Sequence, residues 1–153
     1  MKKIYLIILL IFCFSFNSNA QKTYVPDDNF ENYLESNGMG DGIALNDSVL
    51  TSNVDSVFTL SMHNQQIVDL TGIEDFTELR NLNVNNNQIS SVDVSNNIYL
   101  RELKFANNSV SNLNISTNVD LIDIQANGNQ LSSIDVSHCA NLESLQIDGN
   151  SIS

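Results

Sequence analysis

LRNLNVNNNQI (residues 79–89), LRELKFANNSV (100–110), LIDIQANGNQL (121–131) and LESLQIDGNSI (142–152) follow one another at a constant interval. Their first residues, Leu79, Leu100, Leu121 and Leu142, stand 21 positions apart. In every copy apolar residues recur three and five places on: Leu82 and Val84, Leu103 and Phe105, Ile124 and Ala126, Leu145 and Ile147. Asparagine follows at Asn87, Asn108, Asn129 and Asn150, and an aliphatic side chain two places later. The apolar–polar–apolar alternation marks a short strand with one face inward and one outward. The fixed period marks a solenoid whose copies stack as parallel strands about 4.8 Å apart. Leu82, Leu103, Ile124 and Leu145 then form one buried column, each contributing about 1.5–3 kcal/mol on burial. A second apolar set, Val92/Val94, Leu113/Ile115 and Ile134/Val136, is expected to face inward from the back wall. After each strand the chain turns and its backbone groups lose their ladder partners. Asparagine carries both donors and an acceptor, so the asparagine column is expected to bond the turn backbone of its own and the adjacent coil.

The pattern L-x-x-L-x-L-x-x-N-x-L resembles a leucine-rich repeat. An earlier copy, VFTLSMHNQQI from Val57 to Ile67, keeps the apolar places and carries Gln65 where the others carry asparagine. It is 22 residues long and continues into LTGIEDFTEL (70–79), which resembles the repeats of internalin-like bacterial proteins. The later copies carry VDVSNNIYL, LNISTNVDL and IDVSHCANL, which resemble a short-repeat class of secreted bacterial leucine-rich repeat proteins. The resemblance covers roughly residues 23–153 and implies a leucine-rich repeat solenoid. Parallel β-strands would line its concave face, a short capping helix its N-terminal end, and irregular turns its convex side. Repeats are expected to start near residues 57, 79, 100, 121 and 142, after an N-terminal cap over 21–56.

Residues 1–20, MKKIYLIILLIFCFSFNSNA, read as a signal peptide. Lys2 and Lys3 precede an apolar run too short to span a bilayer, which needs roughly 20 residues. Ser18 and Ala20 suit a peptidase site after Ala20, so the protein is expected to be secreted or on the cell surface, beginning at Gln21. Beyond Pro26, DDNFENYLESNG reads as a short amphipathic helix. Asp27 or Asp28 would cap it, Phe30, Tyr33 and Leu34 share one face, and Asn37-Gly38 stop it. Its apolar face is expected to cover the first coil, because a bare terminal repeat shows core to water. The loop GMGDGIALND (38–47) lacks the acid spacing of a calcium loop and reads as a solvated turn.

The net charge is −12, and without Lys2 and Lys3 it becomes −14. Nucleic acid needs a basic footprint, so it is excluded as a partner. Cys13 lies in the leader, which leaves Cys139 without an internal disulfide partner. His138-Cys139 lacks the three or four converging ligands of a metal site, and neither metal nor cofactor is expected. The sequence has no G-x-S-x-G, HExxH or phosphate-loop motif, so no catalytic residue is assigned and enzymatic activity is not expected.

By alternation the concave face shows Ser61 and His63; Asn81, Asn83 and Asn85; Glu102 and Lys104; Asp123, Gln125 and Asn127; Gln146 and Asp148. These are the candidate binding residues for a protein or glycan ligand. The row is rich in amides and almost free of the aromatic and arginine anchors that dominate protein hot spots. Arg80 and Arg101 occupy equivalent places on adjacent coils, near Glu102, Asp123 and Glu143; they could hold an acidic ligand group, and the expectation is an exposed charge ladder of small energetic value. The last copy stops at Ser153 without a cap. A fragment of a longer array is the expectation, with end-to-end self-association through Leu145 and Ile147 if Ser153 is the true terminus. The functional expectation is an exported, non-enzymatic interaction module. The alternatives are a structural spacer or display arm, or the non-catalytic arm of a longer exported hydrolase.

Overall fold

The computed structural model describes residues 20–152, so the expected signal peptide, apart from Ala20, lies outside the described residues. Five short strands, β3 (Thr59–Ser61), β4 (Asn81–Asn83), β6 (Glu102–Lys104), β8 (Asp123–Gln125) and β9 (Ser144–Gln146), form one parallel sheet in the order β3-β4-β6-β8-β9. Register follows the repeat: Leu60 pairs with Leu82, Leu82 with Leu103, Leu103 with Ile124, and Ile124 with Leu145. Leu82, Leu103 and Ile124 are at most 1% exposed, while Leu145 is 37% exposed. The back wall is partly regular, where turns alone were expected. There β5 (Val92–Asp93) and β7 (Leu113–Asn114) pair in parallel, because Val92, Val94 and Ile115 bury inward and bring the backbones of successive coils to ladder distance.

Three polar ladders run along the solenoid. In the first, Asn108 donates from Nδ2 to Val84 O (3.0 Å) and Phe105 O (2.9 Å) and accepts from Ile89 N (3.0 Å). Asn129 donates to Phe105 O (2.9 Å) and Ala126 O (3.0 Å) and accepts from Val110 N (3.0 Å). Asn87 and Asn150 repeat the arrangement on their own coils. Each asparagine thus joins its own coil to the one before. In the second ladder the fully buried Asn97 donates to Ile73 O and Phe76 O, and Asn118 to Val94 O and Asn97 O. Cys139 holds the next place. Its thiol approaches Asn118 O (3.7 Å), while the neighbouring His138 ring bonds Ile115 O (2.7 Å) through Nε2. The pair reaches the two carbonyls, 24 and 21 residues upstream, that an asparagine at 139 would serve. Burial pushes the Cys139 thiol above its ordinary range, as suits a structural group. In the third, Asp93, Asn114 and Asp135 each accept from the backbone N–H two residues on, closing the convex turns.

The turn after each strand passes through a left-handed residue: Asn64, Asn86, Asn107, Gly128 and Gly149, with φ from 56° to 71°. Asparagine and glycine are the residues that adopt this conformation at least cost, which accounts for the NN and NG pairs of the repeat.

At the N-terminal end, β1 (Lys22–Tyr24) pairs antiparallel with β2 (Ser48–Leu50). Between them lies α1 (Asp28–Ser36), and a single helical turn, α2 (Thr51–Val54), follows β2. Asp27 caps α1: its Oδ1 accepts from Asn29 N and Phe30 N, while its Oδ2 accepts from Val68 N and Asp69 N of the first coil. One carboxylate therefore starts the helix and fastens it to the repeats. Phe30 and Leu34 are fully buried, with Phe30 stacked on Phe76 at 6.2 Å between ring centroids. Gly72 lies where the lead-in meets the first repeat; its φ is 104°, and a Cβ there would come within 2.7 Å of Tyr24 O.

The loop over 38–47 is not the plain solvated turn expected. The buried Glu31 accepts from Asn46 N and Asp47 N, and Glu35 accepts from Asp41 N and Gly42 N. The acids of α1 fold back on the loop because its tight backbone leaves these N–H groups with no ladder partner. Lys22 closes the loop on Asp41 at 2.8 Å and holds that carboxyl down at about 2.

Candidate binding surface

The concave sheet places the expected residues in straight rows. Asn81, Glu102 and Asp123 pair in register across β4, β6 and β8, as do Asn83, Lys104 and Gln125. Ser61, His63, Gln146 and Asp148 are exposed, and the residues from Asn81 to Asn127 in this row are half-buried. Much of the row is already engaged. Lys104 bridges Glu102 (2.7 Å) and Asp123 (3.3 Å), and the Glu102 carboxylate pushes the Lys104 ammonium above its ordinary value. Gln125 Nε2 donates to Asp123 Oδ2 (3.2 Å), and Asn85 Oδ1 accepts from Ala106 N (2.7 Å). Ser61 Oγ and His63 Nδ1 lie 3.3 Å apart. Among the described residues, the side chains of Asn81, Asn127, Gln146 and Asp148 have no hydrogen-bond partner, so these groups remain available to a ligand. A hollow of about 170 Å³ opens over β3, β4 and β6, with Lys104 and Asn83 in its wall. The asparagine column, by contrast, lies inside the turns: Asn87 and Asn129 are buried, Asn108 and Asn150 half-buried, and every one bonds backbone.

The arginines differ from the expected charge ladder. Among the described residues neither Arg80 nor Arg101 forms an ion pair; the Arg80 guanidinium instead lies over the Phe58 ring, 4.7 Å from its centroid. The nearby Glu102 and Asp123 are held by Lys104, which removes the partners that spacing suggested. Spacing alone could have placed Phe58 beside Arg80, since they stand 22 residues apart, one repeat. Among the described residues, no group of three histidine, cysteine, aspartate or glutamate side chains converges as for a metal ion. No described helix is long and apolar enough to cross a membrane.

Stacked parallel strands at one 21-residue step, an inward leucine column and an asparagine ladder at the turn define a leucine-rich repeat solenoid. The chain is a leucine-rich repeat protein similar to bacterial ones. The functional domain of InlJ from Listeria monocytogenes, whose structure includes a cysteine ladder, matches 86% of this chain at 29% identity with a TM-score of 0.74. The internalin inlF of the same species matches 84% at 19% identity and 0.64, and a leucine-rich repeat protein of Leptospira interrogans 66% at 20% and 0.53. The last two are likenesses of fold. The matches cover 29%, 45% and 33% of those three structures, so the chain spans less than half of each. No protein-family model and no curated protein matches the sequence.

Proposed function

We propose that the chain is an exported, non-enzymatic protein-interaction module that binds its partner across the concave strand face. The observation that carries this is the set of registered rows on β4, β6, β8 and β9. These rows, with the turns just past β8 and β9, present Asn81, Gln146, Asn127 and Asp148 with unused hydrogen-bonding groups on a backbone held by ladders on both sides. Such extended, rigid faces are what solenoids offer to macromolecular partners. The likeness to internalins and the apolar leader followed by Ala20 support export to the surface or medium. A protein partner is favoured over a glycan, because the concave rows carry no aromatic ring for a sugar to stack on.

The test is selection of a random peptide-display library on the immobilised chain. Enriched peptides should bind the native chain and lose at least about tenfold in affinity to the Asn127→Ala/Gln146→Ala variant, two amide contacts at a desolvated surface being lost. Unchanged binding by the variant would remove the concave face from the reading. N-terminal sequencing of the chain from the culture medium should begin at Gln21; product that stays in the cell and keeps its leader would refute export.

A further inference from the structure

We infer that the solenoid has a second contact surface, a groove along the flank of the sheet that takes acidic side chains of an extended protein segment; this rests on the chain being a protein-interaction module. One residue before each strand, Phe58, Arg80, Arg101, Ile122 and Glu143 form a column of their own. Their backbones are joined in sequence: Arg80 N to Phe58 O (2.9 Å), Arg101 N to Arg80 O (2.8 Å), Ile122 N to Arg101 O (2.8 Å) and Glu143 N to Ile122 O (2.9 Å). The column is thus as regular as the strands, with steps of about 4.8 Å. Beside it run two contiguous hollows of about 470 and 350 Å³ that share Arg80, Arg101 and Ile122 in their walls.

Charge and apolar content select the occupant. Only four basic residues follow the leader, and two are spent internally, Lys22 on Asp41 and Lys104 on Glu102 and Asp123. The other two stand side by side in the groove and, among the described residues, carry no ion pair. The Arg80 guanidinium lies over the Phe58 ring and Arg80 is exposed, so its N–H groups are open to a carboxylate. Phe58, in the wall of the smaller hollow, is 51% exposed and Tyr99, in that of the larger, 47%; Ile98 and Val119 on the adjoining turns are 46% and 49% exposed. Arginine and aromatic side chains gathered in a hollow are the composition of a protein hot spot, which the amide-rich concave face lacks. A protein segment with acids between apolar residues satisfies both features, whereas a free anion leaves the rings uncovered. Glu102 also lines the smaller hollow, where Lys104 neutralises it, and the sign of charge reverses along the groove, since Asp120 and Glu143 line the larger hollow. Glu143 is two ladder steps beyond Arg101, about 10 Å. The bound segment therefore runs with its acidic end on Arg80 and Arg101 and a basic or neutral end toward Glu143.

The experiment applies the same random peptide-display library to the native chain, to Arg80→Gln/Arg101→Gln and to Asn127→Ala/Gln146→Ala, with hyaluronan oligosaccharide as a polyanionic comparison probe. The expected result is a class of peptides with Asp or Glu next to Leu, Phe or Tyr. Its binding should weaken at least about tenfold in the arginine variant. The concave variant should keep it. Its affinity for the native chain should fall as added salt shortens the screening length from about 30 to 8 Å, and that dependence should vanish in the arginine variant. Both arginines are exposed, so thermal melts should be unchanged; Arg101→Gln alone gives the same direction if the double variant unfolds. Peptides that depend only on the concave pair would overturn the flank site while leaving the interaction module standing. A library that yields no binder would overturn both. Arginine-dependent binding of hyaluronan with peptides unaffected would overturn the protein partner in favour of an anionic glycan.

Discussion

Replacing Asn108 and Asn129 together should cost more than the sum of the two single replacements. Asn129 makes three backbone bonds and Asn108 a fourth, to Ala106 O, yet the single variants should not lose all of those bonds' worth of stability. In Asn108→Ala the Ile89 N–H is left buried without its acceptor, but Val84 O keeps Asn87 Nδ2 and Phe105 O keeps Asn129 Nδ2. In Asn129→Ala the Val110 N–H is orphaned, while Phe105 O keeps Asn108 and Ala126 O keeps Asn150. One fully orphaned donor apiece sets each cost at about 2 kcal/mol. In the double variant Phe105 O, on a fully buried residue, loses both amide donors at once. That adds a coupling of about 1 kcal/mol or more. Asn87 and Asn129 share no carbonyl and provide the control, which should be additive within about 0.5 kcal/mol. Urea unfolding of the native chain, three single and two double variants measures both cycles. Additivity in the Asn108/Asn129 cycle, or equal coupling in the control cycle, would refute the shared-carbonyl account.

Cys139→Asn should restore the second ladder: its amide can donate to Ile115 O and Asn118 O, freeing His138, and the melting temperature should rise by roughly 4 °C for about 1 kcal/mol. A fall would show that the cysteine place is too narrow for the amide. The Lys22–Asp41 bridge should show its contribution only above acid pH. The Asp41 carboxyl is held at about 2 against its ordinary 3.8, so its contribution is complete above about pH 4 and fades as pH falls through 2. The melting difference between the native chain and Lys22→Met should follow that window, and a constant difference from pH 6 to 2 would contradict it. Gly72→Ala should cost about 2 kcal/mol or more, combining a positive φ with a collision against Tyr24 O, and should loosen β1 first. Limited proteolysis would detect this as faster cleavage within residues 20–27 and no change among the repeats.

What could be read from the residues follows from what the period constrains. A buried column must repeat because every coil meets the same neighbour, so Leu82, Leu103 and Ile124, and the asparagines at the turn, were legible from spacing alone. The left-handed column was visible only as a preference for Asn-Asn and Asn-Gly, since the conformation is a property of the backbone. The second ladder was half legible. Asn97, Asn118 and Cys139 align, but His138 supplying a missing amide bond depends on the reach of one ring to a carbonyl 23 residues away. Alternation gave the in-register neighbours on the strands, such as Asn81 with Glu102 and Asn83 with Lys104, but not which side chains would pair with one another. Lys104 chooses Glu102 and Asp123, which empties the charge ladder and leaves Arg80 to Phe58. Surface rows have no neighbour that must match them, and their composition varies freely from coil to coil: Asn81, Glu102, Asp123 and Ser144 occupy one row. The same independence that hides a ligand in the sequence makes the arginine–aromatic column informative, since nothing in the stacking of coils requires two exposed arginines beside two exposed rings.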